Sequence, residues 1–219
     1  MIRKYLYVIF ILLALIFCGC KQSPTVNEII ITTLPSVVQI KIGDFHWGSG
    51  VIVGKDLILT AQHVTNLIYD INEVSIIYND GEIETEVIDV YSDKNDGIDA
   101  ALIKVNTGNR IPIKFDKDKI FLGEDIIVIG TPIDEELYNT VSFGKIAGLN
   151  REIEFFGNIY LIQADVGIAP GNSGGPVIDM DGEILGIAIG GYLGYSHITI
   201  IVPIEMCEKV IEGYNNATK

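Results

Sequence analysis

From Ser36 onward the chain alternates short runs of β-branched and aromatic residues with turn-forming ones. The runs Val37–Ile42, Gly48–Val53, Leu57–Thr60, Val74–Tyr78, Glu82–Tyr91 and Ala100–Val105 make a first set, broken by turns such as Asn79-Asp80-Gly81. A second set follows at Ile126–Gly130, Val141–Leu149, Asn158–Ala164, Val177–Ile178, Glu183–Ile189 and His197–Val202. Short runs of this composition between turn signals are the mark of antiparallel strands closing on themselves. They predict an all-β fold of two six-stranded antiparallel β-barrels. The first covers residues 34–115 and the second 126–202, joined at 116–125 by a polar connector that carries Asp116-Lys117-Asp118-Lys119.

Beyond the second set the period changes. Pro203 suits a first helical position, and Ile204, Cys207, Val210 and Ile211 fall on one face at helical spacing, which predicts a C-terminal helix over 203–214. At the other end, Arg3 and Lys4 precede an apolar run from Leu6 to Phe17, a basic segment followed by a hydrophobic one too short for a comfortable membrane span. Residues 1–19 therefore predict an export signal, the alternative being an uncleaved anchor. Residues 20–33 read as a tether, whose Ile29-Ile30-Ile31 run forms the first turn or strand of the body.

Composition supports an exported body with its own core. The formal charge is −14 and 48% of residues are apolar. Loss of the leader removes Arg3 and Lys4 but no acid, which moves the charge to −16. Such a surface repels nucleic-acid phosphates, so no nucleic-acid partner is expected. The cysteines are Cys18, Cys20 and Cys207, and after processing no pair remains for a disulfide within the chain.

The candidate chemistry centres on Gly171-Asn172-Ser173-Gly174-Gly175-Pro176. A serine between glycines fits a nucleophile in a tight turn, where backbone N–H groups converge on a developing oxyanion; an ordinary hairpin loop is the plain alternative. Upstream, His63 ends the apolar run Leu57–Thr60 and Asp99 stands at the mouth of Ala100–Val105. The order His63, Asp99, Ser173 is one in which Ser-His-Asp triads occur, the trypsin-like one. His63 would be the base, Asp99 its orienting acid, and the N–H groups of Gly171 and Ser173 the oxyanion hole. Asp96 is a rival acid, set three residues further from the strand. His46 reads as a rim residue and Cys207 as a packed small hydrophobe, and no close His/Cys/Asp cluster points to a metal or cofactor.

The phrases Thr60-Ala61-Gln62-His63-Val64, Asp99-Ala100-Ala101-Leu102-Ile103-Lys104-Val105, Ile129-Gly130-Thr131-Pro132 and Pro170-Gly171-Asn172-Ser173-Gly174-Gly175-Pro176-Val177 resemble the protease domain of the HtrA/Deg family of chymotrypsin-fold serine peptidases. The likeness runs from about Pro35 to Gly213. It implies a double barrel of the chymotrypsin type and hydrolysis of unfolded or extended protein substrates, in quality control or processing of exported proteins. An exported chaperone or peptide-binding protein with little turnover is the alternative, and a structural lipoprotein a third class. Members of the family commonly carry PDZ domains after the C-terminal helix; none is expected here. Asn172, where digestive relatives have an aspartate, implies no activation by insertion of a new N-terminus.

Alignment to that family implies a substrate pocket at Gly167, Ile189, Gly190, Gly191 and His197. Gly167 offers no carboxylate for a Lys or Arg side chain, which favours small or medium apolar P1 residues. His197 lies where relatives that cleave after Glu or Gln place a pocket histidine, and a one-residue slip in strand register would turn it away. Phe17-Cys18-Gly19-Cys20 resembles the lipobox of bacterial lipoproteins, which implies acylation of Cys20 and attachment to the cell-envelope membrane. A homo-oligomer stays open.

Overall fold

The computed structural model describes residues 23–44, 46–92, 97–116, 118–154, 159–192 and 194–218. It is an all-β protein of two sheets with one helix at each end, and the expected fold class is what the chain adopts.

The first half contains β1 (Val37–Ile42), β2 (His46–Gly54), β3 (Leu57–Thr60), β4 (Val74–Tyr78), β5 (Ile83–Glu84), β6 (Asp89–Tyr91) and β7 (Ala101–Lys104), in the order β5-β4-β1-β2-β3-β7-β6. All pairs are antiparallel. The sequence pattern treats Glu82–Tyr91 as one strand; the structure breaks it into two pieces on opposite edges of the sheet. The Glu84 carboxylate accepts the N–H groups of Thr85 (3.0 Å) and Glu86 (2.9 Å), taking donors that a neighbouring strand would otherwise receive. The ladder is therefore open while the chain itself crosses from one edge to the other and closes the curl.

The second half is a closed barrel of β8 (Asp125–Gly130), β9 (Thr140–Arg151), β10 (Leu161–Asp165), β11 (Pro176–Ile178), β12 (Ile184–Tyr192) and β13 (Tyr195–Pro203), in the order β10-β13-β12-β11-β8-β9. Ile126, Val128, Ile146, Ile162, Ala164, Val177, Leu185, Ala188 and Ile201 come from all six strands into one buried cluster, as the filling of a small barrel requires. The alternate residues of β8, Ile127 and Ile129, belong to the larger cluster built around the first sheet. The period-2 alternation of β8 thus gives one face to the barrel and the other to the junction between the halves.

Two helices brace this arrangement. Residues 26–33, expected to end a tether, form α1 (Val26–Thr33), with Ile29 buried. Thr25 accepts the Glu28 N–H and Glu28 accepts the Thr25 N–H, a reciprocal cap that decides for helix over the strand the isoleucines favour. At the other end α2 (Ile204–Ala217) starts one residue later than expected, with Pro203 as its N-cap, and buries Ile204, Cys207, Val210 and Tyr214. Tyr214 meets Tyr91 edge to face at 5.6 Å, so the helix returns from the second barrel to the first sheet behind β6 and β7. Among the described residues no helix is long and apolar enough to cross a membrane.

Candidate active site

His63 stands on a single helical turn, Gln62–Thr65, directly after β3. Asp99 is the middle residue of a tight turn closed by the Ala100 N–H on the Ile98 carbonyl (2.9 Å), with Ile98 and Ala100 both buried beside it. The turn leaves the Asp99 side chain 17% exposed and aims both oxygens at His63. Oδ1 accepts the His63 backbone N–H at 2.9 Å, and Oδ2 lies 2.7 Å from the ring Nδ1. A carboxylate only accepts, so Nδ1 carries a proton, and in the neutral ring Nε2 then keeps the free lone pair. The two bonds fix both the position of the His63 backbone and the rotation of its ring. Asp96 falls outside the described residues.

Ser173 sits in the loop between β10 and β11, and its surroundings are set by peptide planarity. The Pro170 carbonyl accepts the Ile133 N–H at 2.7 Å, which points the N–H of the same peptide plane, that of Gly171, the opposite way. The Asn172 carbonyl accepts the Gly175 N–H at 2.9 Å and does the same for the Ser173 N–H. Among the described residues neither the Gly171 nor the Ser173 N–H has a protein acceptor. Gly171 and Gly174 have φ of +99° and +85°, which a glycine adopts without strain.

The seam between the halves is lined by glycines because backbone meets backbone there. A Cβ on Gly174 would overlap the Ser49 carbonyl and the Thr60 hydroxyl, and one on Gly48 would lie 2.8 Å from Val64 and 3.3 Å from the Ser173 carbonyl. The Ser49 N–H donates to the Ser173 carbonyl at 2.8 Å, and the Thr60 hydroxyl donates to the Ser49 carbonyl at 2.7 Å. His63, three residues past Thr60, and Ser173 are thereby set on either side of β2. No hydrogen bond joins the Ser173 hydroxyl to His63 among the described residues; bonds between nucleophile and base are commonly long before substrate arrives.

Ser173 opens onto a cleft of about 550 Å³ walled by Ile168, Ala169, Pro170, Gly190, Gly191, Tyr192, Ser196 and Ile198. Two of the five expected pocket residues, Gly190 and Gly191, line it. Ile189 does not: the ladder between β12 and β13 slips between Ala188 and Gly190, and the Ile189 side chain is buried in the core. Gly167 lies beneath the wall, its missing Cβ 3.2 Å from the Ser196 carbonyl. His197 is turned away, 77% exposed and 3.8 Å from Asp165, because its neighbours Ser196 and Ile198 take the cleft side of β13. The expectation of a pocket histidine is corrected by this register.

A model of the trypsin-like peptidase domain matches residues 48–187. The chain belongs to the trypsin-like peptidase family. Among its relatives, a probable periplasmic serine endoprotease, DegP-like, of Halomonas elongata is 32% identical over 178 residues, covering 77% of this chain and 35% of that one. The serine protease Do-like HtrB of Bacillus subtilis is 35% identical over 150 residues, 64% of this chain and 31% of its own. The peptidase domain spans about a third of the length of these curated relatives. Among solved structures, a serine endoprotease from Yersinia pestis shares 29% identity at a TM-score of 0.73, covering 87% of this chain and 66% of that chain. The HtrA-type protease AlgW with a tripeptide shares 25% at a TM-score of 0.75, covering 86% and 63%.

Other expected residues of the peptidase domain divide as follows. Cys18 and Cys20 lie outside the described residues, and nothing is described of the His46 side chain. Cys207 is fully buried, and burial pushes its thiol well above the usual range, as expected for a packed group. Folding also brings Asp116 up to Asp179 and Glu183, and the three place carboxylate oxygens within 4.8 Å of one another. Asp116 caps the Asp118 N–H, and Asp179 those of Asp181 and Glu183. Partial burial, joined by the nearby negative charge, raises the Asp179 carboxyl. Ser49, the hub of the seam, was not singled out by sequence. Its signal was a polar residue flanked by Gly48 and Gly50 inside an otherwise apolar strand.

Proposed function

We propose that this trypsin-like peptidase domain is a serine endopeptidase acting through Ser173, His63 and Asp99. The observation that carries the reading is the pair of hydrogen bonds from His63 to one carboxylate, at 2.9 Å and 2.7 Å, beside a serine that opens onto a cleft. In this mechanism His63 Nε2 takes the proton of the Ser173 hydroxyl as its oxygen attacks a peptide carbonyl, then returns it to the leaving amine. Asp99 holds the Nδ1 tautomer and stabilises the imidazolium. The Gly171 and Ser173 N–H groups receive the oxyanion, and water then releases the acyl group by the same steps in reverse. Each oxyanion donor is worth about 2.7–4 kcal/mol of barrier.

The cleft supports small or medium apolar P1 residues, since no charged side chain is among its described lining and a buried Lys or Arg would stay unpaired. Extended segments of unfolded proteins are the substrates, laid along the Gly190-Gly191 edge. Export and lipid attachment at Cys20 complete the proposal, supported by the leader pattern, by Gly19-Cys20 and by the periplasmic naming of the Halomonas relative. Purified protein should cleave a denatured polypeptide after Val, Ala, Leu or Ile, and Ser173→Ala should abolish cleavage. Retained cleavage by Ser173→Ala, or a Lys or Arg preference, would reject the site or the pocket reading respectively. In a bacterial host the protein should incorporate labelled fatty acid, and survival of the label in Cys20→Ser would reject the anchor.

A further inference from the structure

Gly171 presents a problem of control. It carries one of the two oxyanion N–H groups, yet it is a glycine at φ +99°, whose own backbone has little intrinsic resistance to rotation. The orientation of its N–H is set by what holds the peptide planes on either side. The plane before it is held by Ile133 on the Pro170 carbonyl. The plane after it is held at both ends: the Asn172 N–H donates to the Ala169 carbonyl at 3.1 Å, and the Gly171 carbonyl accepts the Ser49 hydroxyl, from the other half of the molecule, at 2.7 Å.

The same hydroxyl oxygen accepts the Thr131 N–H at 2.9 Å, which pins the start of the β8–β9 loop two residues before Ile133. Ser49 is completely buried, so no water competes for either bond. Its main chain makes two more, to the Ser173 carbonyl and from the Thr60 hydroxyl. One residue of β2 thus touches the nucleophile's own carbonyl, the oxyanion glycine, the loop that clamps the preceding plane and the strand end that leads to His63. The packing leaves no slack, since a Cβ on Gly130 would lie 3.0 Å from the Ser49 oxygen and one on Gly175 3.3 Å from the Ser49 Cβ.

We infer that Ser49 is a positioning residue, whose hydroxyl steadies the planes on both sides of Gly171, one directly and one through the Thr131 loop, and couples the oxyanion loop to the His63 half. The inference rests on the endopeptidase reading for its effect on rate, but the bonds themselves are independent of turnover. In Ser49→Ala the Gly171 carbonyl and the Thr131 N–H both lose a buried partner. The plane then keeps only the 3.1 Å bond of Asn172 to Ala169 and turns more easily, and kcat should fall about tenfold to a hundredfold with KM within about threefold. A peptide aldehyde, which forms a tetrahedral adduct and uses the oxyanion site, should lose affinity by the same factor. The matching carboxylate product peptide should lose less than about threefold.

The second arm needs no activity. In a Ser173→Ala background, adding Ser49→Ala should speed amide exchange of Thr131 at least about tenfold and shift the Gly171 ¹⁵N resonance, with Ile103 in the core of β7 unchanged. Equal loss of aldehyde and product affinity, a wild-type kcat in Ser49→Ala, or unmoved Thr131 and Gly171 amides would each overturn the inference. Amides that respond in a protein whose wild type cleaves nothing would instead reject the endopeptidase reading and leave Ser49 as the organiser of the loop.

Discussion

Gly174→Ala should be far more damaging than its single methyl group suggests. Gly81→Ala is its control, because the two glycines share nearly the same backbone, φ +85° and +83°. Each alanine pays about 1–2 kcal/mol for a left-handed conformation. At Gly81 that is the whole effect, since nothing lies within 4 Å of the added Cβ. At Gly174 the methyl falls well inside 3.0 Å of the Ser49 carbonyl and the Thr60 hydroxyl, and 2.8 Å from the Ala61 nitrogen. Relieving the overlap means pushing β2 and the His63 turn away from the Ser173 loop, an overpacking cost of about 1–3 kcal/mol. The Thr60-to-Ser49 bond opens with it, leaving a buried group unpaired at about 1–3 kcal/mol. Gly174→Ala should then cost about 2–6 kcal/mol more than Gly81→Ala. For a chain of this size, about 2–4 °C per kcal/mol, the melting temperatures should differ by at least about 4 °C. Calorimetry of both variants in a Ser173→Ala background, which prevents self-digestion, makes the comparison. Equal melting temperatures would refute the claim that backbone contact at the seam, rather than glycine conformation alone, requires Gly174.

Other consequences are open to simple assays. Asp99→Asn should lower kcat about 10⁴-fold by favouring the wrong His63 tautomer, which steady-state kinetics on a peptide substrate will show. Tyr78, pushed up to about 12 mainly by burial, should ionise last in an ultraviolet titration of the native protein; Tyr78→Phe should remove that step and cost about 1 kcal/mol through its lost bond to the Asn106 carbonyl. Asp179 is raised in the fold, so its charge opposes folding above its native pKa and has no effect below its unfolded value near 3.9. Asp179→Asn should therefore raise the melting temperature at pH 7 and lose that gain by about pH 3, and an unchanged gain at low pH would deny the charge origin. Native Cys207 should resist alkylation until the protein unfolds, as thiol titration with and without denaturant will test.

Short apolar strands bounded by turn or polar residues were legible to the residue: Val37–Ile42, Leu57–Thr60 and Val74–Tyr78 begin and end where the pattern does. What escaped depends on interactions that hydrophobic periodicity does not encode. The break in Glu82–Tyr91 comes from the Glu84 side chain taking backbone donors. α1 hid behind three isoleucines, although its cap, Thr25 with Glu28, was written in the sequence. In the candidate site, His63 and Asp99, which the fold brings to 2.7 Å, stood out because each ends or opens an apolar run, and Ser173 because it stands among glycines. The wall of the cleft was not, because a bulge at Ile189 and the register of β13 decide which side chains face it. Ser49 was least visible of all, since its importance lies in partners 122 and 82 residues away.

The central claim is that Ser173 is the nucleophile of a folded triad, and covalent labelling tests it most directly. A fluorophosphonate should add one label per native molecule, and peptide mapping by mass spectrometry should place it on Ser173. Labelling should disappear in Ser173→Ala and in heat-unfolded protein, and fall sharply in His63→Ala. A label on any other residue, or equal labelling of Ser173→Ala, would contradict the account.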